Sequence, residues 1–383
     1  MKTVIEASTA VALAVKMCRP AVIPIYPITP QTHIVERITE YINDGELESR
    51  PINAESEHSA ISAAIGISAT GQRTFTATSS QGLALMHEIL FIAAGMRLPI
   101  VMAVANRALS APINIWNDHQ DSISERDAGW IQLYVESGQE ALDTTIQAYK
   151  IAEDSRILLP IMVCLDGFTL THVWEPVDVP EEKRVESYLP KYKPLYKLDV
   201  ENPMTFGPIG FPDSFMHFKQ AQQEAMQDSI QVIKKAHDDY ATKFERSYGN
   251  GLVELYKMTD ADYAIMAMGT VCGTTRVAID ELRKKGEKVG MIKVRSYRPF
   301  PKEEILKACS TIKAVGIIDR NMSLGNEGAL YTDVRSLLYQ QKNGPIVNGF
   351  ICGLGGRDIT INHINKIFEN LKKEKETTTE WMH

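Results

Sequence analysis

The chain has 383 residues, 44% of them hydrophobic, and its 41 lysines and arginines against 48 aspartates and glutamates give a formal charge of −7. No basic block favours nucleic acid or an anionic membrane as a partner, and no apolar run reaches the length of a bilayer span. A chain of this length can bury two cores, so we expect two domains. Because the first residues lack the apolar core of a signal peptide, we expect a cytoplasmic protein.

The five cysteines are far apart in the sequence and lie mostly in apolar runs: Cys18, Cys164, Cys272, Cys309 and Cys352. The sequence contains no C-x-x-C pair. Iron–sulfur clusters need closely spaced thiolates, so the spacing argues against a cluster held by this chain alone. We therefore predict buried free thiols, and any single-electron transfer would need another subunit.

The first predicted elements are a helix from Ser8 to Arg19, with Ser8 as its N-cap, and a strand from Ala21 to Ile25. The strand leads into Y-P-I-T-P at Tyr26–Pro30, where two prolines restrict Thr29 to an extended turn. Loops at the carboxyl ends of strands often bind ligands in open α/β sheets. A ligand loop and a simple proline-flanked turn are about equally consistent with this segment.

The stretch from Pro51 to Met86 predicts two neighbouring strand-to-helix junctions. Glu57 precedes a small-residue helix over Ser59–Ala69, and a strand at Thr74–Thr78 leads into a second helix that opens at Ser79-Ser80-Gln81-Gly82. Such junctions line the ligand crevice of open α/β sheets, so Glu57 and this turn should face one pocket. On these residues alone, helix capping is a more frequent role for Glu57 than catalysis.

A buried parallel strand is predicted from Leu98 to Ala105, and Arg107 follows it. Its planar guanidinium could bind a carboxylate, and a surface ion pair is the alternative. The polar loop from Asn114 to Asp121 has the composition of an active-site loop. Three of its side chains, those of Asp118, His119 and Asp121, could bind a metal. Because further ligands are missing, hydrogen-bonded scaffolding of the loop is favoured.

The remaining pattern divides the chain into a first domain at 1–176, a linker with a long helical arm at 177–250, a smaller α/β domain at 251–372 and a frayed tail at 373–383. In the first domain we predict a helix over Gln139–Asp154 and a strand over Leu158–Leu165. The arm is predicted as a helix over Phe215–Phe244 that wraps a partner or the other domain. In the smaller domain the predicted strands are Ala261–Met268, Val289–Val294, Ala314–Ile318 and Ile346–Cys352, and the predicted helices are Thr275–Lys285, Lys302–Cys309 and Gly328–Gln340.

A set of ordered motifs covers nearly the whole chain. It comprises Y-P-I-T-P at Tyr26–Pro30, A-E-S-E-H-S-A at Ala54–Ala60, T-S-S-Q-G-L-A-L-M at Thr78–Met86, A-N-R-A at Ala105–Ala108, N-D-H-Q-D at Asn117–Asp121, R-P-F-P at Arg298–Pro301, I-D-R-N at Ile318–Asn321 and G-L-G-G-R-D at Gly353–Asp358. With these motifs the chain resembles the alpha subunits of the 2-oxoacid:ferredoxin oxidoreductases. Within that family it is most similar to the pyruvate:ferredoxin oxidoreductases, or pyruvate synthases.

The resemblance implies an α/β fold in which a thiamine diphosphate pyrimidine-binding open parallel sheet precedes a smaller domain like the transketolase carboxyl-terminal domain. It implies that Glu57 hydrogen-bonds N1′ of the aminopyrimidine, which favours the imino tautomer of the cofactor. Pro27, Ser80 and Gln81 are the other implied cofactor-binding residues.

For the substrate, the resemblance implies that Thr29 and Arg107 hold the oxygen and the carboxylate of a 2-oxoacid. The G-D-G motif that binds diphosphate and Mg²⁺ in thiamine enzymes is absent, because Asp166-Gly167-Phe168 is an isolated fragment. Mg²⁺, the diphosphate half of the site and [4Fe-4S] clusters must then come from partner chains, so no metal ligand is assigned here. The implied partners are beta, gamma and delta subunits and ferredoxin.

The expected reaction is pyruvate + CoA + oxidised ferredoxin ⇌ acetyl-CoA + CO₂ + reduced ferredoxin. A branched-chain 2-oxoacid or 2-oxoglutarate as substrate is the alternative within the family. A non-catalytic assembly protein with two docking domains is an alternative of another class. The occurrence of Thr29, Glu57 and Arg107 together at predicted strand ends argues against the latter.

Overall fold

The computed structural model describes residues 2–342, 344–373 and 376–383. Residues 1, 343, 374 and 375, which fall inside the predicted domains and tail, lie outside the described residues. In the amino-terminal unit, residues 2–244, the strands are β1 (Lys2–Glu6), β2 (Val22–Ile25), β3 (Arg50–Asn53), β4 (Phe75–Thr78), β5 (Val101–Asn106), β6 (Ile131–Val135), β7 (Ile161–Asp166) and β8 (Trp174–Asp178). Its helices are α1 (Ala7–Cys18), α2 (Thr32–Asn43), α3 (Glu57–Ala69), α4 (Ser80–Gly95), α5 (Gln120–Ser124), α6 (Gly138–Ala152), α7 (Glu182–Tyr188) and α8 (Phe215–Phe244).

The carboxy-terminal unit, residues 253–381, has a second sheet. The strands of that sheet are β9 (Val253–Tyr256), β10 (Tyr263–Ala267), β11 (Val289–Val294), β13 (Ala314–Asp319), β14 (Ile346–Ile351) and β15 (Thr379–Trp381). The unit also contains the short strand β12 (Ser296–Arg298) and the helices α9 (Val271–Lys284), α10 (Lys302–Cys309), α11 (Ala329–Leu338) and α12 (Ile361–Lys373). The strand order is β15-β14-β13-β10-β11-β9, and β9 runs antiparallel to β11 in an otherwise parallel sheet.

The sheet of the amino-terminal unit places many loop residues on one edge. β4, β5, β7 and β6 are parallel neighbours in that order, and β5 and β7 are buried along their whole length, as expected for strands covered by helices on both faces. The parallel pair β2 and β3 joins β4 through a bridge between Val22 and Thr74. The carboxyl ends of all six strands therefore lie along the same edge.

Several local predictions differ from the structure. Ser8 is not the N-cap of α1, because β1 continues directly into the helix and the Ser8 hydroxyl donates to the Thr171 carbonyl (2.9 Å). β1 pairs antiparallel with β8, so the predicted domain boundary at residue 176 falls inside a strand. The predicted frayed tail is wrong for Thr379–Trp381, which extends the second sheet beside β14, while Met382 is buried.

The two units share a strand and a buried ion cluster. β12 pairs antiparallel with β6, so a segment that lies between β11 and β13 of the second sheet in sequence forms the edge of the first sheet. Behind it, Glu140 accepts from Lys293 Nζ (2.7 Å) and Arg295 Nε (2.5 Å). Burial raises the pKa of Glu140, but the two cations outweigh burial and lower it to about 2. The units are thus joined by backbone pairing and by buried charge.

The arm packs back onto the amino-terminal unit. The carboxyl half of α8 is buried against α6, where the Tyr240 hydroxyl donates to Asp143 (2.7 Å), and its first turn is exposed. Every cysteine is a buried free thiol, as predicted. Within the described residues, no helix is both long enough and apolar enough to span a bilayer.

Candidate functional site

The shared sheet edge brings the predicted site residues together. Thr29 follows β2, Glu57 follows β3, Ser80 follows β4 and Arg107 follows β5. Because these four strands are parallel neighbours, their carboxyl ends lie along one edge, where open α/β sheets bind ligands. The structure therefore confirms the predicted placement of these residues, and their individual roles remain predictions.

Glu57 is not the cap of its helix. Ser56 is the N-cap of α3, and its hydroxyl accepts from the Ser59 N–H (3.2 Å). Glu57 lies in the first turn with only 7% of its surface exposed. No described residue donates a hydrogen bond to its carboxyl group. The carboxyl group is therefore available to a ligand.

Glycine at position 82 lets the start of α4 approach this carboxyl. A Cβ atom on Gly82 would lie 2.5 Å from Glu57 Oε1 and 2.6 Å from Thr78 Oγ1. The hydroxyls of Thr78 and Ser79 are buried and have no hydrogen-bond partner among the described residues. We call Glu57, Thr78, Ser79 and Gly82 the Glu57 cradle. Its close polar walls and unpaired groups fit a flat heterocycle that carries hydrogen-bonding nitrogens.

Asp121 organises the two strand ends beside the cradle. Its Oδ2 accepts from the backbone N–H groups of Ser80 (2.9 Å) and Arg107 (3.0 Å), and its Oδ1 accepts from Asn106 Nδ2 (2.8 Å) and the Ser122 N–H (2.7 Å). Burial raises the pKa of Asp121 to about 6, although these hydrogen bonds act to lower it. Hydrogen-bonded scaffolding, the role favoured for the polar loop, is confirmed for Asp121, but the N-D-H-Q-D run did not indicate that its partners would be the strand ends at Ser80 and Arg107.

Ser80 and Gln81 form the turn that Asp121 holds. Ser80 has a positive φ of 47° and is fully buried, and its hydroxyl, with one proton to donate, lies 2.6 Å from each of two acceptors, the Ala108 carbonyl and Gln81 Oε1. Its polar groups are thus used inside the chain, so Ser80 shapes the site by fixing the turn. Gln81 is half-buried beside the cradle.

Arg107 does not form the surface ion pair that was the alternative to ligand binding. Its side chain is 9% exposed, and its guanidinium donates from Nε to the Asn114 carbonyl (3.0 Å) and from Nη1 to the Thr29 carbonyl (2.9 Å). No carboxylate among the described residues forms a salt bridge with it. Burial lowers the pKa of Arg107, and the nearby Asp121 carboxylate offsets this effect only in part. The positive charge is oriented by two carbonyls and can receive an anion.

The turn that contains Thr29 is anchored by the residue after it. Gln31 is buried and donates from Nε2 to the Ala77 carbonyl of β4 (2.7 Å). Thr29 and Pro27 are exposed at this sheet edge, and the Thr29 hydroxyl has no partner among the described residues. The hydroxyl can therefore face a ligand that Arg107 binds.

The polar loop connects the two units. His119 Nε2 donates to Asp166 Oδ1 (2.7 Å), and Arg320 Nη1 of the carboxy-terminal unit donates to Asp166 Oδ2 (2.6 Å). Burial would raise the pKa of Asp166, but Arg320 and His119 hold it well below its usual range. Asp118 accepts from the Gly355 N–H (3.0 Å). The described residues contain no group of three or more His, Cys, Asp or Glu side chains placed to hold a metal.

Comparison with known proteins bears on both units. Residues 13–238 match the family model described as pyruvate flavodoxin/ferredoxin oxidoreductase, thiamine diphosphate-binding, and residues 261–364 match that of pyruvate:ferredoxin oxidoreductase core domain II. The pyruvate synthase subunit PorA of Methanocaldococcus jannaschii is 54% identical over 99% of this chain and 97% of that protein. The ketoisovalerate oxidoreductase subunit VorA of Pyrococcus horikoshii is 44% identical over 100% of this chain and 98% of that protein.

Two solved structures share the fold. The chain superposes with a TM-score of 0.75 and 20% identity on the 2-oxoglutarate:ferredoxin oxidoreductase of Magnetococcus marinus, solved with 2-oxoglutarate, coenzyme A and succinyl-CoA, and covers 97% of its own length but only 65% of that chain. A split gene transketolase gives a TM-score of 0.58 at 12% identity, with 97% and 98% of the two chains covered. The predicted fold class, a pyrimidine-binding-type sheet followed by a transketolase-like unit, is confirmed.

Proposed function

The chain belongs to the pyruvate flavodoxin/ferredoxin oxidoreductase family, and we propose that it is the alpha subunit of a multi-subunit pyruvate synthase. The complex would convert pyruvate, CoA and oxidised ferredoxin reversibly to acetyl-CoA, CO₂ and reduced ferredoxin. The observation that carries this proposal is the buried Glu57 carboxyl, free of donors among the described residues, at the same sheet edge as the Arg107 guanidinium.

Thiamine diphosphate, when bound, supplies the carbon nucleophile and the electron sink for decarboxylation of a 2-oxoacid. Glu57 would hold the aminopyrimidine by sharing a proton with N1′. The Glu57 carboxyl suits this role because burial strengthens a shared-proton hydrogen bond and excludes competing water. Gly82 lets the start of α4 lie directly against the Glu57 carboxyl, and Pro27 and Gln81 would be further cofactor contacts.

Arg107 and Thr29 would bind the substrate. The guanidinium provides a planar pair of donors for the carboxylate of pyruvate, and its orientation is already fixed by the Asn114 and Thr29 carbonyls. The Thr29 hydroxyl would donate to an oxygen of the 2-oxoacid. Such contacts align the bond to the departing CO₂ and contribute orientation more than acceleration.

The diphosphate half of the site would come from a partner subunit. α3 and α4 begin at the Glu57 cradle, and the exposed face of α4 includes Leu85 (51% exposed) and Ile92 (41% exposed). An apolar surface that continues from an incomplete site suits a permanent subunit interface. We assign this face to the beta subunit, which would supply Mg²⁺ and the diphosphate contacts. The [4Fe-4S] clusters and ferredoxin docking belong to the partner subunits, beta, gamma and delta, in a cytoplasmic complex.

The identity to pyruvate synthase subunits, 54% against 44% for a ketoisovalerate oxidoreductase subunit, favours pyruvate as the substrate. Steady-state kinetics of the assembled complex with pyruvate, ketoisovalerate and 2-oxoglutarate test this assignment. We expect the highest kcat/KM for pyruvate, and a higher value for either competitor would contradict it.

The variant Arg107→Ala tests the substrate site in the same assay. A charge-assisted contact in a partly buried site contributes about 1.5–3 kcal/mol, so KM for pyruvate should rise by at least about tenfold while KM for CoA stays constant. If the melting temperature falls and both KM values rise equally, Arg107 only braces its loop.

A further inference from the structure

The glycine motif at Gly353–Asp358 follows β14 and lies against the loop that carries Asn114 and Trp116. Gly353, Gly355 and Gly356 all have positive φ values, of 66°, 60° and 82°. A Cβ atom on Gly355 would lie 2.6 Å from Asn114 Nδ2, and one on Gly356 would overlap Trp116 Cβ. Glycine is therefore required for backbone conformation and for close approach.

Asn114 connects residues Gly353–Gly356, which we call the glycine loop, to Arg107. Its side-chain Nδ2 donates to the Gly355 carbonyl (3.1 Å), and its Oδ1 accepts from the Trp116 N–H (2.7 Å). Its own backbone carbonyl accepts from Arg107 Nε (3.0 Å). One residue thus links the carboxy-terminal unit to one of the two carbonyls that orient the guanidinium.

Neighbouring residues of the loop are held by the same unit. The Gly355 N–H donates to Asp118 Oδ2 (3.0 Å), Arg320 Nη2 donates to Asn117 Oδ1 (2.8 Å), and the Met322 N–H donates to Gln120 Oε1 (2.9 Å). The hydrogen bonds of these three loop residues therefore end on two loops of the carboxy-terminal unit. Loops at protein surfaces are mobile unless tied down, so these bonds determine where the Asn114 carbonyl lies.

We propose that the glycine loop, Gly353–Gly356, positions Arg107 for binding the 2-oxoacid carboxylate, acting through Asn114 and Trp116. The carboxy-terminal unit then contributes to substrate affinity without contacting the substrate. This inference rests on the proposed function in one respect, the assignment of Arg107 as the carboxylate-binding residue. Asn114, Gly355 and Gly356 are positioning residues in this account.

Two glycine-to-alanine variants of the assembled complex form a matched test. Gly356 and Gly325 have nearly equal φ values, 82° and 85°, so alanine strains the backbone similarly at both positions. A Cβ on Gly356 would displace Trp116, whereas no described heavy atom lies within 4 Å of a Cβ on Gly325. Any kinetic difference between Gly356→Ala and Gly325→Ala therefore reports on the contact with the loop.

We expect Gly356→Ala to raise KM for pyruvate by about tenfold, the scale of misplacing one oriented charged contact, and to leave KM for CoA and thiamine diphosphate affinity unchanged. Gly325→Ala should keep the kinetics of the parent complex, with a smaller decrease in melting temperature because its Cβ meets no neighbouring side chain. Equal KM values for pyruvate in the two variants would overturn the proposal, as would an equal rise in both KM values of Gly356→Ala.

A double variant separates positioning through Arg107 from a general structural effect. If the glycine loop acts through the guanidinium, adding Gly356→Ala to Arg107→Ala should not raise KM for pyruvate further, because the positioned group is gone. Additive effects of the two changes would contradict the inference.

Asn114→Ala provides the same test if Gly356→Ala does not assemble. It removes the amide that bonds Gly355 and keeps the carbonyl that Arg107 contacts, so a rise in KM for pyruvate alone is expected. If Arg107→Ala raises KM but neither Gly356→Ala nor Asn114→Ala does, the inference fails and the substrate assignment stands. If Arg107→Ala leaves KM unchanged, both fail.

Discussion

Replacing Asp121 by asparagine should separate activity from stability, because its carboxylate holds the site while its burial is costly. Each carboxylate oxygen accepts two hydrogen bonds, Oδ2 from Ser80 and Arg107 and Oδ1 from Asn106 and Ser122. An amide nitrogen at either position would therefore face two donors. Each unpaired buried N–H costs about 1–3 kcal/mol.

Removing the buried charge of Asp121 offsets much of this loss of folding stability. Burial raises its pKa from the ordinary 3.8 to about 6, a difference of roughly two pKa units or about 3 kcal/mol at neutral pH. Because the folded pKa is the higher one, the stability that Asp121 contributes is complete below about pH 4 and is lost as pH rises through about 6. Neutral asparagine avoids this cost at pH 7, so the melting temperature should change by only a few degrees.

Activity should respond much more strongly. Without the Asp121 hydrogen bonds, the Ser80 turn or the Arg107 backbone should be displaced. If the lost hydrogen-bond energy of about 1–3 kcal/mol is lost from the transition state, kcat/KM decreases roughly 5- to 150-fold. The parent complex should lose activity as pH falls through about 6, since a protonated carboxyl cannot accept from all four donors. Asp121→Asn should be nearly flat across that range. Asp127→Asn, at a side chain that is 77% exposed, is the control and should match the parent.

Two results would refute this reasoning. The first is a kcat/KM for Asp121→Asn within a few-fold of the parent. The second is an acid limb that persists in the variant, which would assign the titration to Asp319, whose pKa burial also raises to about 6.

The remaining predictions concern the cofactor carboxyl, the substrate hydroxyl and the buried ion cluster. Glu57→Gln should assemble normally but lose roughly two to four orders of magnitude in turnover, and activity within a few-fold of the parent would make Glu57 a structural residue. Thr29→Val should lower kcat/KM for pyruvate by on the order of 1 kcal/mol without changing KM for CoA; an unchanged value would remove Thr29 from the site. Glu140→Gln leaves Lys293 and Arg295 without their shared carboxylate, so unfolding experiments should show a loss of about 3–5 kcal/mol. Because the folded pKa of Glu140 is the lower one, its contribution is complete above about pH 4.5 and is lost as pH falls toward 2; a pH-independent difference between parent and variant would contradict this.

Much of the fold follows from periodic sequence patterns. The bounds of α8, α10 and β11 agree with the sequence prediction, because long amphipathic or uninterrupted apolar runs specify an element locally. β12 was not predicted, since three residues pair with a strand about 160 positions earlier and nothing in their own sequence marks that contact. The pairs of β1 with β8 and of β14 with β15 were missed for the same reason.

The candidate site divides in a similar way. Thr29, Glu57 and Arg107 could be placed together from the sequence because each follows a parallel strand, and such strands end at one edge. The role of Asp121 depends on backbone N–H groups of residues 41 and 14 positions away, which carry no side-chain signature. The same holds for the contact of Gly355 with Asn114, which spans 241 positions and becomes visible only when both units are folded.

Binding of thiamine diphosphate tests the central claim most directly, namely that this chain supplies the pyrimidine half of a shared cofactor site. Isothermal titration calorimetry should compare the isolated chain, the assembled complex and a complex with Glu57→Gln, each with and without Mg²⁺. We predict Mg²⁺-dependent binding to the complex, weaker binding to the Glu57→Gln complex and no measurable binding to the isolated chain. Tight, Mg²⁺-dependent binding to the isolated chain would contradict the account.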